Sequence, residues 1–183
     1  AAAAGGGVAG AGTGRAGGDR DVRARSDAGD PRRRLAATAD GKVSIWNPRT
    51  GVLQWSSPAM IAEARSLAFH PHRDWLVAAC RDGKLRFIDT FQQRFVFEYE
   101  TENRRIAFSP HDKALYISNS LPEMYVRAYD VAADGTLSKP RRLITWPGSA
   151  PDVPDGMKVD SAGNVWVTGP GGLSIISPQG KVL

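Results

Sequence analysis

The chain has 183 residues and a formal net charge of +5, and seven arginines against four aspartates in residues 1–34 carry +3 of that charge. With no aromatic or lysine-rich face beside those arginines, the basic balance gives no case for nucleic acid. A single cysteine, Cys80, excludes an intrachain disulfide and any cysteine-cluster zinc site, and no apolar run approaches the roughly 20 residues a membrane-spanning helix needs.

Residues 1–34 are rich in Gly, Ala and Arg and almost without large apolar side chains. Such a segment buries too little surface to offset the entropy of ordering, so a disordered, solvated tail is expected. Gly12, Gly14 and Gly17 in it match G-x-G-x-x-G. That pattern cradles a pyrophosphate only between a strand and a helix, and neither signal flanks it here, so no dinucleotide site is expected. The tail also lacks the apolar core of a secretory signal.

From Leu35 onward one phrase repeats: alternating residues closed by a small polar group. It is KVSIWN ending at Asn47, KLRFID ending at Asp89, YVRAYD ending at Asp130 and LSIIS ending at Ser177, at intervals of 42, 41 and 47 residues. A companion phrase, SLAFHP at Ser66–Pro71 and RIAFSP at Arg105–Pro110, opens the second and third units and leads through a polar turn into WLVAAC or ALYISN. Roughly 40 residues holding four short strands make one propeller blade. Helical spacing extends no further than the stretch near Ala59–Ala64. The expected fold is therefore an all-β propeller of about three and a half blades over residues 35–183. That is short of a ring, and the missing initial Met and the stop just after a strand are read as signs of a fragment of a larger propeller. Its open edges would be available to a protein partner.

Several residues read as structural. Cys80 closes the strand WLVAAC as small apolar filler. His70 and His72, and the matching His111, fall in polar turns rather than forming a metal pair. Trp146, Trp166 and Tyr116 read as strand and inter-blade packing. Gly169, Gly171 and Gly172 read as a turn, with close approach to a ligand as the alternative.

The phrases IAFSPHDKALYISNS, YVRAYDVAADGTLSKPRRL and VPDGMKVDSAGNVWVTGPGGLSIISPQGK make residues 101–183 resemble the gluconolactonase family, which includes senescence marker protein and luciferin-regenerating enzyme. Residues 35–100, with DGKVSIWNPRTG and RDGKLRFID, resemble WD-repeat blades, although the Gly-His dipeptide is missing and Trp46-Asn47 replaces Trp-Asp.

The first resemblance implies a hydrolase that opens sugar lactones with one divalent cation, calcium or zinc, held by oxygen ligands from different blades. Such an ion polarises the carbonyl and activates a water. Asp155, in Pro154-Asp155-Gly156, is the residue the resemblance makes a metal ligand and base, and Asn119 a second polar residue of that site; an Asp before Gly also reads as a turn acceptor. The family's Asn-Gly pair before IAFSP is replaced by Arg104-Arg105, with Asn103 one residue early, and its first-blade Glu has no counterpart. Two functions follow from these residues: a divergent lactonase with a lactone as substrate, and a non-catalytic WD-type scaffold with a protein partner. No membrane or nucleic acid is expected in either.

Overall fold

The computed structural model describes residues 35–39, 42–58, 62–102, 105–111, 113–148 and 152–183, and all fourteen elements among them are β-strands. The tail expected to be disordered lies outside these residues. The first sheet is β1 (Leu35–Ala39), β2 (Lys42–Trp46) and β3 (Leu53–Ser56). The second is β4 (Ala64–Phe69), β5 (Trp75–Cys80), β6 (Lys84–Asp89) and β7 (Arg94–Glu100), and the third is β8 (Arg105–Phe108), β9 (Ala114–Asn119), β10 (Met124–Val131) and β11 (Leu137–Trp146). The fourth is β12 (Met157–Val159), β13 (Val165–Gly169) and β14 (Gly172–Ile176). Each sheet is an antiparallel meander in chain order. Its first strand neighbours the first strand of the next sheet: β1 lies near β4, β4 beside β8, and β8 beside β12.

These are β-propeller blades, as the repeat predicts. The repeated phrase falls on β2, β6, β10 and β14, the third strand of each complete sheet. So β1 corresponds to β5 and β9, not to the inner strands β4 and β8. Beyond β14, Val182 bridges Ile176 and the Leu183 amide donates to the Ile175 carbonyl at 2.9 Å, which sets this backbone in the fourth-strand place.

The side-chain period of two explains why the central strands read as unbroken apolar runs. In β5, Leu76, Ala78 and Cys80 pack toward the first sheet with Val43 and Ile45, while Val77 and Ala79 pack toward the third with Ile106, Leu115 and Ile117. In β9, Leu115 and Ile117 join that second core, and Ala114 and Tyr116 join a third with Met157, Val165 and Val167. Three cores thus cement four sheets. β7, at an outer edge, alternates half-buried and exposed residues instead.

Three of the four closing polar groups of the repeat are turn acceptors, while Asp130, inside β10, pairs with Arg141 at 2.7 Å. Asn47 Oδ1 accepts from the Arg49 amide at 2.9 Å, and Asp89 Oδ1 accepts from Phe91 and Gln92 at 2.9 and 2.7 Å. Ser177 Oγ accepts from the Lys181 amide at 3.1 Å. Each of these three side chains replaces a backbone partner at the tight turn after its strand.

Candidate functional site at the start of the inner strands

The starts of β4, β8 and β12 converge, and Arg105 connects them. As the first residue of β8 it extends its guanidinium to both neighbouring sheets: Nη1 donates to the Arg65 carbonyl at 2.9 Å, Nη2 to Asp155 Oδ1 at 2.7 Å, and Nε to the Asp155 carbonyl at 3.0 Å. The Ile106 amide donates to Ser66 Oγ at 3.3 Å, a second tie between β8 and β4. The Arg105 side chain is 33% exposed and that of Asp155 56%, so this pair sits at the rim, within reach of solvent and of a solute.

Backbone pairing fixes Asp155. Its amide donates to the Thr168 carbonyl at 3.1 Å, and the Gly156 amide donates to Thr168 Oγ1 at 2.8 Å. Ser120 Oγ donates to the Pro154 carbonyl at 2.8 Å, which ties the end of β9 to the same segment. A Cβ on Gly156 would lie 3.2 Å from Thr168 Oγ1, so glycine lets this lead-in to β12 press against β13.

Asn119 stands at the end of β9, next to Ser120, and is 5% exposed. Its Nδ2 donates to the carbonyls of Leu121 and Glu123 at 2.9 and 3.0 Å and lies 3.4 Å from Glu102 Oε2. The amide therefore anchors the β9–β10 turn. Glu102 also accepts from the Tyr125 hydroxyl at 3.1 Å. Burial, opposed by the nearby Arg127 charge and reinforced by Glu102, pushes the Tyr125 phenol up to about 12.

These residues do not fit a divalent ion. The Asp155 carboxylate already faces a fixed cation, and a calcium site needs six or more oxygens. Among the described residues, no three His, Cys, Asp or Glu side chains are grouped so as to hold a metal ion. Arg104 and Asn103, which bear on the family's amide ligand, lie outside those residues. His70 Nδ1 accepts from the amides of His72 and Arg73 at 3.2 and 3.1 Å. Its ring packs 4.8 Å from Phe108, so it is a turn anchor, as expected, and buried between blades as well. His72 Nε2 lies 3.1 Å from the Pro110 carbonyl.

Cys80 and Tyr116 are buried as expected, and Trp146 packs on the third core. Trp166 differs. Val165 and Val167 take the inward positions of β13, which turns Trp166 outward to 38% exposure, its indole N–H bonded to Asp160 Oδ2 at 3.0 Å. Gly171 and Gly172, with φ of +82° and +110°, form the β13–β14 turn, as the sequence reading had it. Sequence reasoning missed Arg105. Its signal was an arginine in place of the small residue of the family's Asn-Gly pair.

The fold defines a β-propeller class of protein. Residues 61–89 match the WD domain, G-beta repeat, and residues 103–183 match the family described as the SMP-30/Gluconolactonase/LRE-like region. The C-terminal blades are thus gluconolactonase-like, preceded by WD-repeat-like blades. A gluconolactonase of Zymomonas mobilis subsp. mobilis is 33% identical over 84 residues, covering 43% of this chain and 24% of the relative. A crystal structure of the mitotic checkpoint complex aligns with TM-score 0.63 at 14% identity, covering 79% of this chain and 45% of that one, which supports the fold alone. The chain thus spans about a quarter of the curated relative and under half of the solved one. No helix among the described residues is long and apolar enough to cross a membrane.

Proposed function

We propose that this gluconolactonase-like propeller is a hydrolase that opens sugar lactones at the rim where β4, β8 and β12 begin, with Asp155 as proton acceptor. The observation that carries the reading is the place of Pro154-Asp155-Gly156 within the matched segment 103–183: it stands where inner strands of three sheets meet, held by Thr168 and Ser120. A carboxylate so fixed and still solvent-accessible suits the removal of a proton from an attacking water. The test is acid release from glucono-δ-lactone followed by pH-stat. The parent should exceed the spontaneous rate, and Asp155→Asn should lower the excess by about two orders of magnitude. A parent rate equal to the buffer's rejects the reading.

A second reading, an interaction propeller with a protein partner, is favoured by the WD match at 61–89 and by a cavity of about 470 Å³ between the first two sheets. Trp55, Phe91, Gln54, Gln93 and Asp74 contribute to its lining, away from Asp155. Phe91 is 81% exposed there, as an aromatic anchor for a partner would be. In this reading Phe91→Ala releases the partner and leaves lactone opening unchanged.

A further inference from the structure

We propose that Arg105 serves as the resident cation of this site, so that the oxygens of a sugar lactone or sugar acid are received by its guanidinium and no divalent ion is required. This inference rests on the lactonase reading for its ligand class, but it concerns how charge is supplied.

Three acceptors hold the guanidinium, one on each nitrogen: Asp155 O at 3.0 Å on Nε, Asp155 Oδ1 at 2.7 Å on Nη2 and Arg65 O at 2.9 Å on Nη1. A guanidinium has five N–H donors in a planar fork. These bonds use one on each nitrogen, and each terminal nitrogen keeps a second for an incoming oxygen. A guanidinium is a permanent, delocalised cation. It is also prepositioned, because its acceptors come from the lead-in to β12, where the Asp155 amide bonds the Thr168 carbonyl, and from Arg65 of β4, which lies between the paired residues Ala64 and Ser66.

A fixed positive charge beside the Asp155 carboxylate repels a second, divalent charge and has already taken one carboxylate oxygen. Ion binding would have to break that contact and still find several more oxygens. A substrate carbonyl faces no such conflict, since it needs a donor rather than an acceptor. In the reaction, water oxygen bonds to the lactone carbonyl carbon while the water proton passes to Asp155. The carbonyl oxygen takes up negative charge against Arg105. As the ring C–O bond breaks, the ring oxygen leaves with the electron pair and takes the proton back, which yields the open hydroxy acid and balances without a further reactant.

Isothermal titration of the full chain with gluconate, in chelator and then with calcium added, tests the proposal. Binding should be the same in both conditions, should weaken with added salt, and should fall about tenfold in Arg105→Ala. Arg105→Lys, which keeps the charge and loses the fork, should fall between the two, and circular dichroism melting of each variant verifies folding. Binding that appears only with calcium, binding unaffected by Arg105→Ala in a folded sample, or no binding in either condition overturns the inference. Should Arg105→Ala not fold, the salt response and Arg105→Lys decide: binding insensitive to both also overturns it. Lactone turnover separates the two readings. Gluconate binding in chelator without turnover rejects the hydrolase and keeps the arginine site, whereas turnover that requires calcium does the reverse.

Discussion

Arg86 Nη2 lies 2.6 Å from Asp82 Oδ2 across the β5–β6 turn. The arginine side chain is 4% exposed. Its Nη1 also bonds Asp82 Oδ1 at 3.1 Å, and its Nε bonds Glu98 Oε1 at 2.8 Å, so a buried cation is neutralised from two sides. Asp82→Ala leaves Arg86 short of its bidentate partner and should cost about 2 kcal/mol in denaturant unfolding. The Arg86 hydrogen bond holds the Asp82 carboxyl below its ordinary value. Stability from a lowered carboxylate is present above the unfolded value, about pH 4, and is lost as pH falls through the folded one. The melting temperature should therefore drop on acidification below about pH 4, and the drop should be smaller in Asp82→Asn.

Gly135, in the β10–β11 turn, has φ of +92°, and a Cβ there would meet Phe97 and Trp75 of the second sheet at 2.9 Å. Gly135→Ala combines a left-handed alanine with overpacking between two blades. It should lose about 2–4 kcal/mol. Gly51, with φ of +69° and nothing within 4 Å, isolates the backbone cost, and Gly51→Ala should lose about 1–2 kcal/mol. Equal thermal shifts in the two variants would show that the blade contact at Gly135 carries no strain.

The blades were legible because a meander is local. Alternation and turn acceptors lie within one unit, Asn47, Asp89 and Ser177 recur from unit to unit, and the structure uses each where the pattern put it. Asp155 was legible as a candidate through its neighbours Pro154 and Gly156. The partner of Asp155 was not, because Arg105 lies 50 positions away and the reach of an arginine side chain across two sheets leaves no local pattern. Asn119 shows a different limit. A polar residue closing a strand looks alike in sequence whatever it bonds, and the carbonyls of Leu121 and Glu123 that receive its Nδ2 come from the turn that follows. For Trp166 the alternation of β13 was a better guide than the usual burial of tryptophan.

Two of the four tyrosines should ionise late. Burial raises the Tyr116 phenol, and burial with Glu102 nearby pushes Tyr125 up to about 12, against an ordinary value of 10.0. Unfolded chains release these protons near pH 10, whereas the folded chain retains them. Their contribution is therefore complete below pH 10 and is lost as pH rises toward the folded values. The phenolate absorbance of Tyr116 and Tyr125 should appear only above the ordinary value and together with loss of sheet signal in circular dichroism, and Tyr125→Phe should shrink that late rise. A single transition centred at the ordinary value would show that neither phenol is protected.

Asp155 and Arg105 give the sharpest test of descent from a cation site. Arg105→Gly removes the guanidinium from the carboxylate, and Arg104→Asn adds an oxygen ligand where the family resemblance places an amide. An ion held by one carboxylate keeps most of its water, and each prepositioned oxygen tightens the hold. The double variant should therefore bind calcium about tenfold more tightly than the parent by titration calorimetry, and Asp155→Ala should erase the gain in the double variant while leaving the parent's weak affinity as it was. Loss of the gain, beyond whatever Asp155→Ala costs the parent, is the signature of a shared site, because substitutions at independent sites add. Arg105→Ala run in parallel separates release of the carboxylate from the flexibility that glycine brings to the start of β8. Full turnover with calcium is not expected in the double variant, since the family's first-blade Glu has no counterpart in this sequence. A folded double variant that gains no calcium affinity, or gains it regardless of Asp155, would show that the rim of these blades does not derive from a metal site.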